Sequence, residues 1–275
     1  MAITAADVMK LRKATGAGMM DCKNALSDAD GDFNRAIEII REKGKLVASK
    51  RSDRDATEGA VLAKVSDDNK FGAIVVLNCE TDFVAKNEGF VSLTQKFLDL
   101  AIAERPADLD ALKALKLDGR TIADHVTEQT GVIGEKIELS FYSSLQADSV
   151  VGYIHPGNKL ATVVGFNQAP VDKQVAKDVA MQVAAMNPVA VDKDFVSPEV
   201  VEKELEIAKE KFRLEGKPEA MLDKIAQGAL VKFFKESTLL NQAFVKDNKV
   251  TVGEYLNSTS KGLTATGFIR YALSE

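Results

Sequence analysis

The feature that most constrains the fold of this chain is an internal repeat. The segment GAVLAKVSDDNKFGAIVVLN at 59–78 aligns without a gap with DSVVGYIHPGNKLATVVGFN at 148–167. Val61 then falls on Val150, and Asn78 falls on Asn167. Each copy has two apolar runs around a polar turn, which is the pattern of a β-hairpin. The repeat therefore predicts two similar halves, each built on a hairpin.

Each half continues into the same further elements. Apolar residues at helical spacing predict a helix after each hairpin, around 91–103 and 173–186. Two later apolar segments, KIELSFY at 136–142 and GFIRYAL at 267–273, predict a third strand for each half. The predicted fold class is α+β, with a small antiparallel three-stranded sheet and helices in each of two core subdomains, at 55–143 and 144–275.

The N-terminal region, residues 1–54, predicts a separate domain of three short helices. Thr4 and Asp7 have the spacing of a capping box at the start of the first helix. A Gly-Ala-Gly break ends that helix, and Asp32 can cap the third. The charged, aromatic-free stretch 49–58 predicts a linker to the core.

The second half carries an additional helical hairpin, predicted at 198–234. Ser197 and Pro198 are a typical N-cap and first-turn pair. Two apolar stripes at helical spacing follow, and a Gly-Lys-Pro break separates them. The hairpin can pack on the body of its own chain or on a second copy, so a homodimer is one possible outcome.

Composition excludes several classes of protein. We find no apolar run near the length of a membrane span, and the first 20 residues lack the pattern of a secretory signal. Two distant cysteines, Cys22 and Cys79, predict buried thiols in a reducing cytoplasm. The net charge of −5 argues against a nucleic-acid partner, although 41–54 is locally basic.

Motif searches give no sign of a catalytic centre. The chain contains no dinucleotide fingerprint, phosphate loop, zinc motif or nucleophile elbow. Of its two histidines, His125 lies in a helical pattern and predicts a partly buried surface residue, whereas His155 lies at a hairpin turn. We therefore predict no catalytic residue, no cofactor and no metal site, and expect that the protein is not an enzyme.

Two apolar features do not follow from the fold. In NCETDFVAKNEGF at 78–90, Phe83 lies in a polar loop that the second copy lacks, with a surplus of roughly five to seven residues. The ring is either a plug folded into its own core or an exposed contact with a partner. Met19 and Met20 are adjacent on a predicted helix, so one must face outward, and core packing is expected for at least one.

Three segments resemble the bacterial translation elongation factor Ts family: LRKATGAGMMDCKNAL at 11–26, NCETDFVAKNEGF at 78–90 and MQVAAMNP at 181–188. The resemblance covers essentially the whole chain. It implies a ubiquitin-associated-like N-terminal domain, a core of two similar subdomains and a coiled-coil hairpin. It also implies a guanine-nucleotide exchange factor for elongation factor Tu, the GTPase that carries aminoacyl-tRNA to the ribosome.

The resemblance also implies which residues act. The stretch Thr81, Asp82, Phe83 and Val84 matches the family's segment that displaces Mg²⁺ from elongation factor Tu. Further partner contacts are implied for Met19, Met20, Lys23 and His155. A C-terminal helical module found in some members is not expected here, because the sequence stops at Glu275. The alternative is a non-catalytic RNA- or protein-binding adaptor acting through 41–54.

Overall fold

The computed structural model describes residues 3–273, so the predicted domain limits at residues 1 and 275 lie outside the described part of the chain. The architecture is α+β, with small antiparallel sheets and helices, and this confirms the predicted class. No helix within residues 3–273 is long and apolar enough to cross a membrane.

The N-terminal region forms a three-helix bundle from α1 (Ala5–Thr15), α2 (Met19–Asp28) and α3 (Phe33–Lys50). The Thr4–Asp7 capping box is confirmed, and Asp32 caps α3 as predicted by accepting from the Arg35 N–H. The apolar side chains of the bundle pack on one another, with Leu11 and Cys22 fully buried. Helix α3 runs past the predicted start of the linker, so the connection to β1 is only 51–57, and its first four residues form turns.

The first half of the core contains a sheet in the order β1 (Glu58–Val65), β2 (Phe71–Cys79), β5 (Glu138–Gln146). The central strand β2 is buried along its whole length, since helices cover one face of the sheet and the second sheet covers the other. The remaining elements of this half are α4 (Asp82–Ala85), α5 (Glu88–Glu104), α6 (Leu109–Ala114), β3 (Lys116–Leu117), β4 (Arg120–Thr121) and α7 (Ile122–Ile133).

The second half repeats this plan with a sheet in the order β10 (Ala265–Ala272), β7 (Leu160–Phe166), β6 (Ser149–Ile154). Helix α8 (Lys173–Met186) has the predicted bounds and packs on this sheet. The predicted boundary between residues 143 and 144 falls inside β5, because that strand continues to Gln146. The other elements of this half are α9 (Pro198–Leu214), α10 (Glu219–Ser237), β8 (Ala243–Phe244), β9 (Asp247–Thr251) and α11 (Val252–Thr259).

The two sheets pack face to face about an approximate two-fold relation. The Val61 N–H donates to the Asn158 carbonyl at 2.7 Å, and the Val150 N–H donates to the Asn69 carbonyl at 2.6 Å. The two bonds are equivalent, because Val61 aligns with Val150 and Asn69 aligns with Asn158 in the sequence repeat. Asn69 and Asn158 also share the left-handed conformation, with φ of 55° and 57°. Two equivalent pairs, Val61 with Val150 and Ile74 with Val163, lie in the apolar layer between the sheets, and Val76 and Ala161 complete it.

The bundle contacts the core where α3 crosses α7. At the crossing, Gly44 of α3 faces Gly131 of α7, and a Cβ added to Gly131 would lie 2.3 Å from the Gly44 Cα. Two glycines without side chains permit this close approach of two backbones. After the crossing, Arg51 forms an ion pair with Glu80 at 2.7 Å, which connects the linker to the end of β2.

His125 differs from its prediction. We expected a partly buried surface residue, but the side chain is only 7% exposed. Its Nε2 lies 2.8 Å from the Leu117 carbonyl oxygen, because the β3–β4 ribbon folds over the start of α7. The ring also lies 6.4 Å from that of Phe97, so the residue belongs to the core.

Candidate functional site

The segment that carries Phe83 is a single helical turn, whereas the sequence predicted a loop. Helix α4 spans Asp82–Ala85, with Thr81 at its N-cap position. Ala85 is buried and Val84 packs against the apolar core, while Phe83 projects outward with 84% of its surface exposed. Successive helical residues point in different directions, so one turn can bury Val84 and Ala85 and still expose Phe83.

This exposure decides between the two interpretations of Phe83. The core-plug interpretation is wrong, because the ring lies on the surface. The ring forms one wall of an open cleft of about 680 Å³ between the core and the bundle. Val132 of α7 and Gly16 at the end of α1 are among the residues on other walls. The exposed ring and the cleft therefore lie side by side on the surface.

The carboxylate of Asp82 is paired within the same turn. Lys86 donates to Asp82 Oδ2 at 2.6 Å, at the i,i+4 spacing. This bond lowers the pKa of Asp82 from its ordinary value, and the charge of Lys159 acts in the same direction. The same bond raises the pKa of Lys86. Asp82 is therefore ionised at neutral pH and lies next to the exposed ring.

A second carboxylate, Glu135, fastens the base of the turn. Its Oε2 accepts from the backbone N–H groups of Glu80 and Thr81 at 3.2 and 3.0 Å, and its Oε1 accepts from the Thr81 hydroxyl at 2.7 Å. Sequence reasoning missed Glu135, because nothing in its local sequence places it opposite residues 80 and 81.

Glu80 is held in return by the segment that carries Glu135. Its Oε1 accepts from the Lys136 backbone N–H at 2.6 Å and pairs with Arg51 at 2.7 Å. The bond from the Lys136 N–H, assisted by the Arg51 charge, lowers the pKa of Glu80. The two carboxylates thus tie β2 and the α7–β5 connection to each other in both directions.

His155 is exposed in the β6–β7 turn, and its Nδ1 lies 2.9 Å from the Tyr153 hydroxyl. In the same turn, Lys159 forms an ion pair with Glu58 at 2.8 Å. Glu58 of β1 pairs with Cys79 of β2, and Cys79 lies two positions before Thr81. The structure therefore places the His155 turn and Thr81–Val84 at the same end of the paired sheets.

The predicted contact residues of the bundle lie on the exposed face of α2. Met19 and Met20 are 40% and 64% exposed, and Lys23 is exposed too. The expectation that at least one methionine packs in the core is wrong, because α2 buries Cys22, Ala25 and Leu26 instead. The cleft beside Phe83 is lined by Gly16, just before α2, but by neither methionine.

Within 3–273, we find no group of three or more His, Cys, Asp or Glu side chains placed to hold a metal ion. Cys22 and Cys79 are free and buried, as predicted. Burial, with the nearby Glu135 charge, raises the pKa of the Cys79 thiol to about 12.

Comparisons with known proteins agree on one family. The family model described as "Elongation factor TS" matches residues 80–275. The chain is 56% identical over its full length to elongation factor Ts of Porphyromonas gingivalis and covers 99% of that protein. It is 52% identical to elongation factor Ts of Azobacteroides pseudotrichonymphae, with 100% of this chain and 99% of the relative covered. A more distant relative, elongation factor Ts of Bacteroides fragilis, is 45% identical, with 99% of both chains covered.

Proposed function

The chain belongs to the elongation factor Ts family, and from that premise we propose that it is a guanine-nucleotide exchange factor for elongation factor Tu. It binds the GDP form of that GTPase, displaces Mg²⁺ from the nucleotide site and promotes GDP release, so that GTP can bind. The observation that carries this proposal is Phe83, held 84% exposed on an anchored helical turn. A rigid scaffold with one exposed aromatic ring fits an element that enters a partner.

In this mechanism, Phe83 is a wedge between elements of the GTPase. Burying the ring on contact contributes about 1.5–3 kcal/mol, which is available to shift the groups that hold Mg²⁺. Asp82 brings a negative charge beside the wedge and competes for donors near the phosphates. Once the cation has left, the phosphate charge is less compensated and GDP dissociates faster. Nucleotide and exchange factor weaken each other's binding by the same ratio.

The remaining predicted contacts complete the partner surface. Met19, Met20 and Lys23 of the bundle and His155 of the second half are exposed. In the proposed mechanism no covalent bond is made or broken, so the protein acts without a catalytic residue, a cofactor or a metal ion of its own. We place this activity in the cytoplasm, with no direct contact to nucleic acid or to a membrane.

We also propose self-association through the α9–α10 hairpin as a second interaction. Four apolar side chains of the hairpin are at least half exposed although its helices pack on each other: Ile207, Leu214, Met221 and Val231. Exposed apolar side chains on a helical hairpin suit a contact with another helix. Sedimentation of the whole protein and of a hairpin-deleted form tests this contact.

The exchange proposal is tested by release of labelled GDP from purified elongation factor Tu. Wild-type protein should accelerate release, and Phe83→Ala should weaken that effect by about 30-fold, equivalent to about 2 kcal/mol at an interface hot spot. Folding stability should change by no more than about 0.5 kcal/mol, because the removed ring is exposed. Asp82→Ala should act in the same direction, and less than additively with Phe83→Ala.

Phe195→Ala is the matched control, since Phe195 is also an exposed phenylalanine, at 72%, in the other half of the chain. It should leave GDP release unchanged. Full activity of Phe83→Ala would refute the wedge. Absence of exchange by the wild-type protein, together with RNA binding that weakens steeply with salt, would favour the adaptor function instead.

A further inference from the structure

The turn that carries Phe83 is too short to hold its own conformation. An isolated helix of four residues is not stable, because the conformational entropy lost in nucleation exceeds the free energy gained from the hydrogen bonds of a single turn. The backbone of α4 makes few such bonds, including Ala85 N–H to the Thr81 carbonyl at 3.2 Å and Lys86 N–H to the Asp82 carbonyl at 3.1 Å. An apolar ring beside an open cleft also tends to turn inward and bury itself.

Thr81 occupies the N-cap position, yet its side chain makes no cap bond to α4. Its hydroxyl donates instead to Glu135, which also accepts the Thr81 and Glu80 backbone N–H groups. Three donors from two adjacent residues therefore converge on one carboxylate. Charge-assisted hydrogen bonds of this kind are stronger than neutral ones, so they can fix the direction in which the chain enters the turn.

The element that supplies Glu135 is itself rigidly placed. Glu135 follows Gly134, which ends α7 in the left-handed conformation with φ of 80°. The next residue, Lys136, donates its backbone N–H to Glu80. The two segments thus hold each other through crossed carboxylate contacts, and Glu135 touches the turn without lying in the predicted partner-contact stretch.

We propose that Glu135 is a positioning residue for nucleotide exchange. It holds Thr81 so that α4 forms and Phe83 projects outward in the free protein. This inference rests on the proposed exchange function, because it concerns the segment assigned to Mg²⁺ displacement. Without the carboxylate, the protein still binds elongation factor Tu through its other contacts. Phe83 is then no longer held in the outward orientation that it needs to enter the GTPase.

The first test reports on the turn without elongation factor Tu. The chain contains no tryptophan and four tyrosines, so Phe83→Trp places the only tryptophan on the turn, and it can be excited selectively. In this background, Glu135→Ala should lower the tryptophan fluorescence anisotropy through added nanosecond motion of the turn. Glu138→Ala is the matched control, since Glu138 is an exposed carboxylate three positions away, and it should leave the anisotropy unchanged.

The second test measures GDP release at increasing concentrations of protein with the native Phe83. Glu135→Ala should lower the maximal rate by roughly tenfold or more, the expected effect of losing hydrogen bonds to a charged group. The concentration for half-maximal rate should stay within about twofold of the wild-type value, because the docking surface is intact. A purely structural loss of folded protein would not separate these two quantities in this way.

Glu135→Gln is the conservative variant. Its amide oxygen can accept both backbone N–H groups, and its amide N–H can donate to the Thr81 hydroxyl oxygen. We expect it to restore both the anisotropy and the maximal rate to within about threefold of wild type, since it keeps the three contacts and loses only the additional strength that the charge gives them. Should Glu135→Ala fail to fold, Glu135→Asp replaces it, with the carboxylate withdrawn by one methylene and smaller losses in both measurements.

The outcomes separate the two proposals. Wild-type anisotropy and a wild-type maximal rate in Glu135→Ala refute the positioning role, as does a Glu135→Gln variant as impaired as Glu135→Ala. If the wild-type protein does not accelerate GDP release, the exchange function fails. The anisotropy measurement then still shows whether Glu135 holds the turn.

Discussion

Two glycines face each other where α3 crosses α7, and we predict that replacing one by alanine stabilises the protein whereas replacing the other destabilises it. A Cβ on Gly131 would lie 2.3 Å from the Gly44 Cα, whereas a Cβ on Gly44 would lie 3.6 Å from the Gly131 Cα. Ordinary carbon contacts fall at about 3.5–4.0 Å. Gly44→Ala therefore fits the crossing as it is, and Gly131→Ala requires the helices to separate by about 1.2–1.7 Å.

The magnitudes follow from two opposing effects. Replacing glycine by alanine within a helix stabilises it by about 1 kcal/mol, and this applies at both positions. Overpacking costs about 1–3 kcal/mol, and this applies only at Gly131, where the clash is with backbone that cannot rotate away. We expect Gly44→Ala to raise the free energy of unfolding by up to about 1 kcal/mol and Gly131→Ala to lower it by up to about 2 kcal/mol.

Urea unfolding of the two variants measures this difference. Limited proteolysis of the 51–57 connection is the second assay, since separation of α3 from α7 should make that segment easier to cleave in Gly131→Ala alone. If Gly131→Ala proves as stable as Gly44→Ala, the close approach of the two helices is refuted, and with it the fixed position of the bundle beside Phe83.

Four further predictions concern other parts of the molecule. Removal of residues 1–54 should weaken binding to elongation factor Tu and leave a cooperatively unfolding core, because the bundle's apolar cluster is its own; loss of the cooperative transition contradicts this boundary. Replacing 198–234 by a short Gly-Ser bridge should leave GDP release mostly intact, and a loss as large as that of Phe83→Ala would place the hairpin in the exchange surface. Both thiols should resist iodoacetamide at mildly alkaline pH until the protein is denatured, since both are buried and the pKa of Cys79 is raised to about 12. The pKa of Glu80 is lowered below its ordinary 4.5 in the folded protein, so its contribution to stability is present above pH 4.5 and is lost as pH falls; Glu80→Gln should reduce the slope of stability against pH in that acid range.

Local sequence signals predicted most of the elements, because each has a local physical cause. The Thr4–Asp7 box, the Asp32 cap and the Ser197–Pro198 start fix helix ends by contacts within a few residues. The bounds of α8 were predicted from its apolar spacing, and the structure shows that Asp172 caps its first turn. The C-terminal end of the hairpin was three residues short, since α10 continues to Ser237 without a glycine or proline to stop it.

The errors share a different cause, which is contact between segments distant in sequence. Strand β5 begins at Glu138 rather than residue 136, because the Lys136 N–H is directed to the side chain of Glu80, just after the end of β2. His125 is buried because a ribbon from outside its helix covers it. Glu135 could not be identified for the same reason, since its partners lie more than fifty positions away.

The polar residues around Phe83 could have indicated a helical turn rather than a loop. Asp82 and Lys86 have the i,i+4 spacing of a helical ion pair, and Asn87 caps the next helix by accepting from the Gly89 and Phe90 N–H groups. What the sequence could not show is the direction of the ring, since that depends on which side of the turn the core covers.

The two halves of the core differ most where Phe83 lies, and the size of the difference has a structural meaning. Helix α5 begins ten positions after Asn78, whereas α8 begins six positions after Asn167, so the surplus is four residues rather than the five to seven expected. Four residues are the length of α4. In the second half, Asn167 bonds to the Gly262 carbonyl and the Thr264 N–H, and this closes the equivalent end of the sheet onto the α11–β10 connection. In the first half that end is fastened by Glu135 instead, and one extra helical turn projects from it. The repeated scaffold therefore accounts for the rigidity of the position, and the single inserted turn accounts for the exposed ring that we assign to exchange.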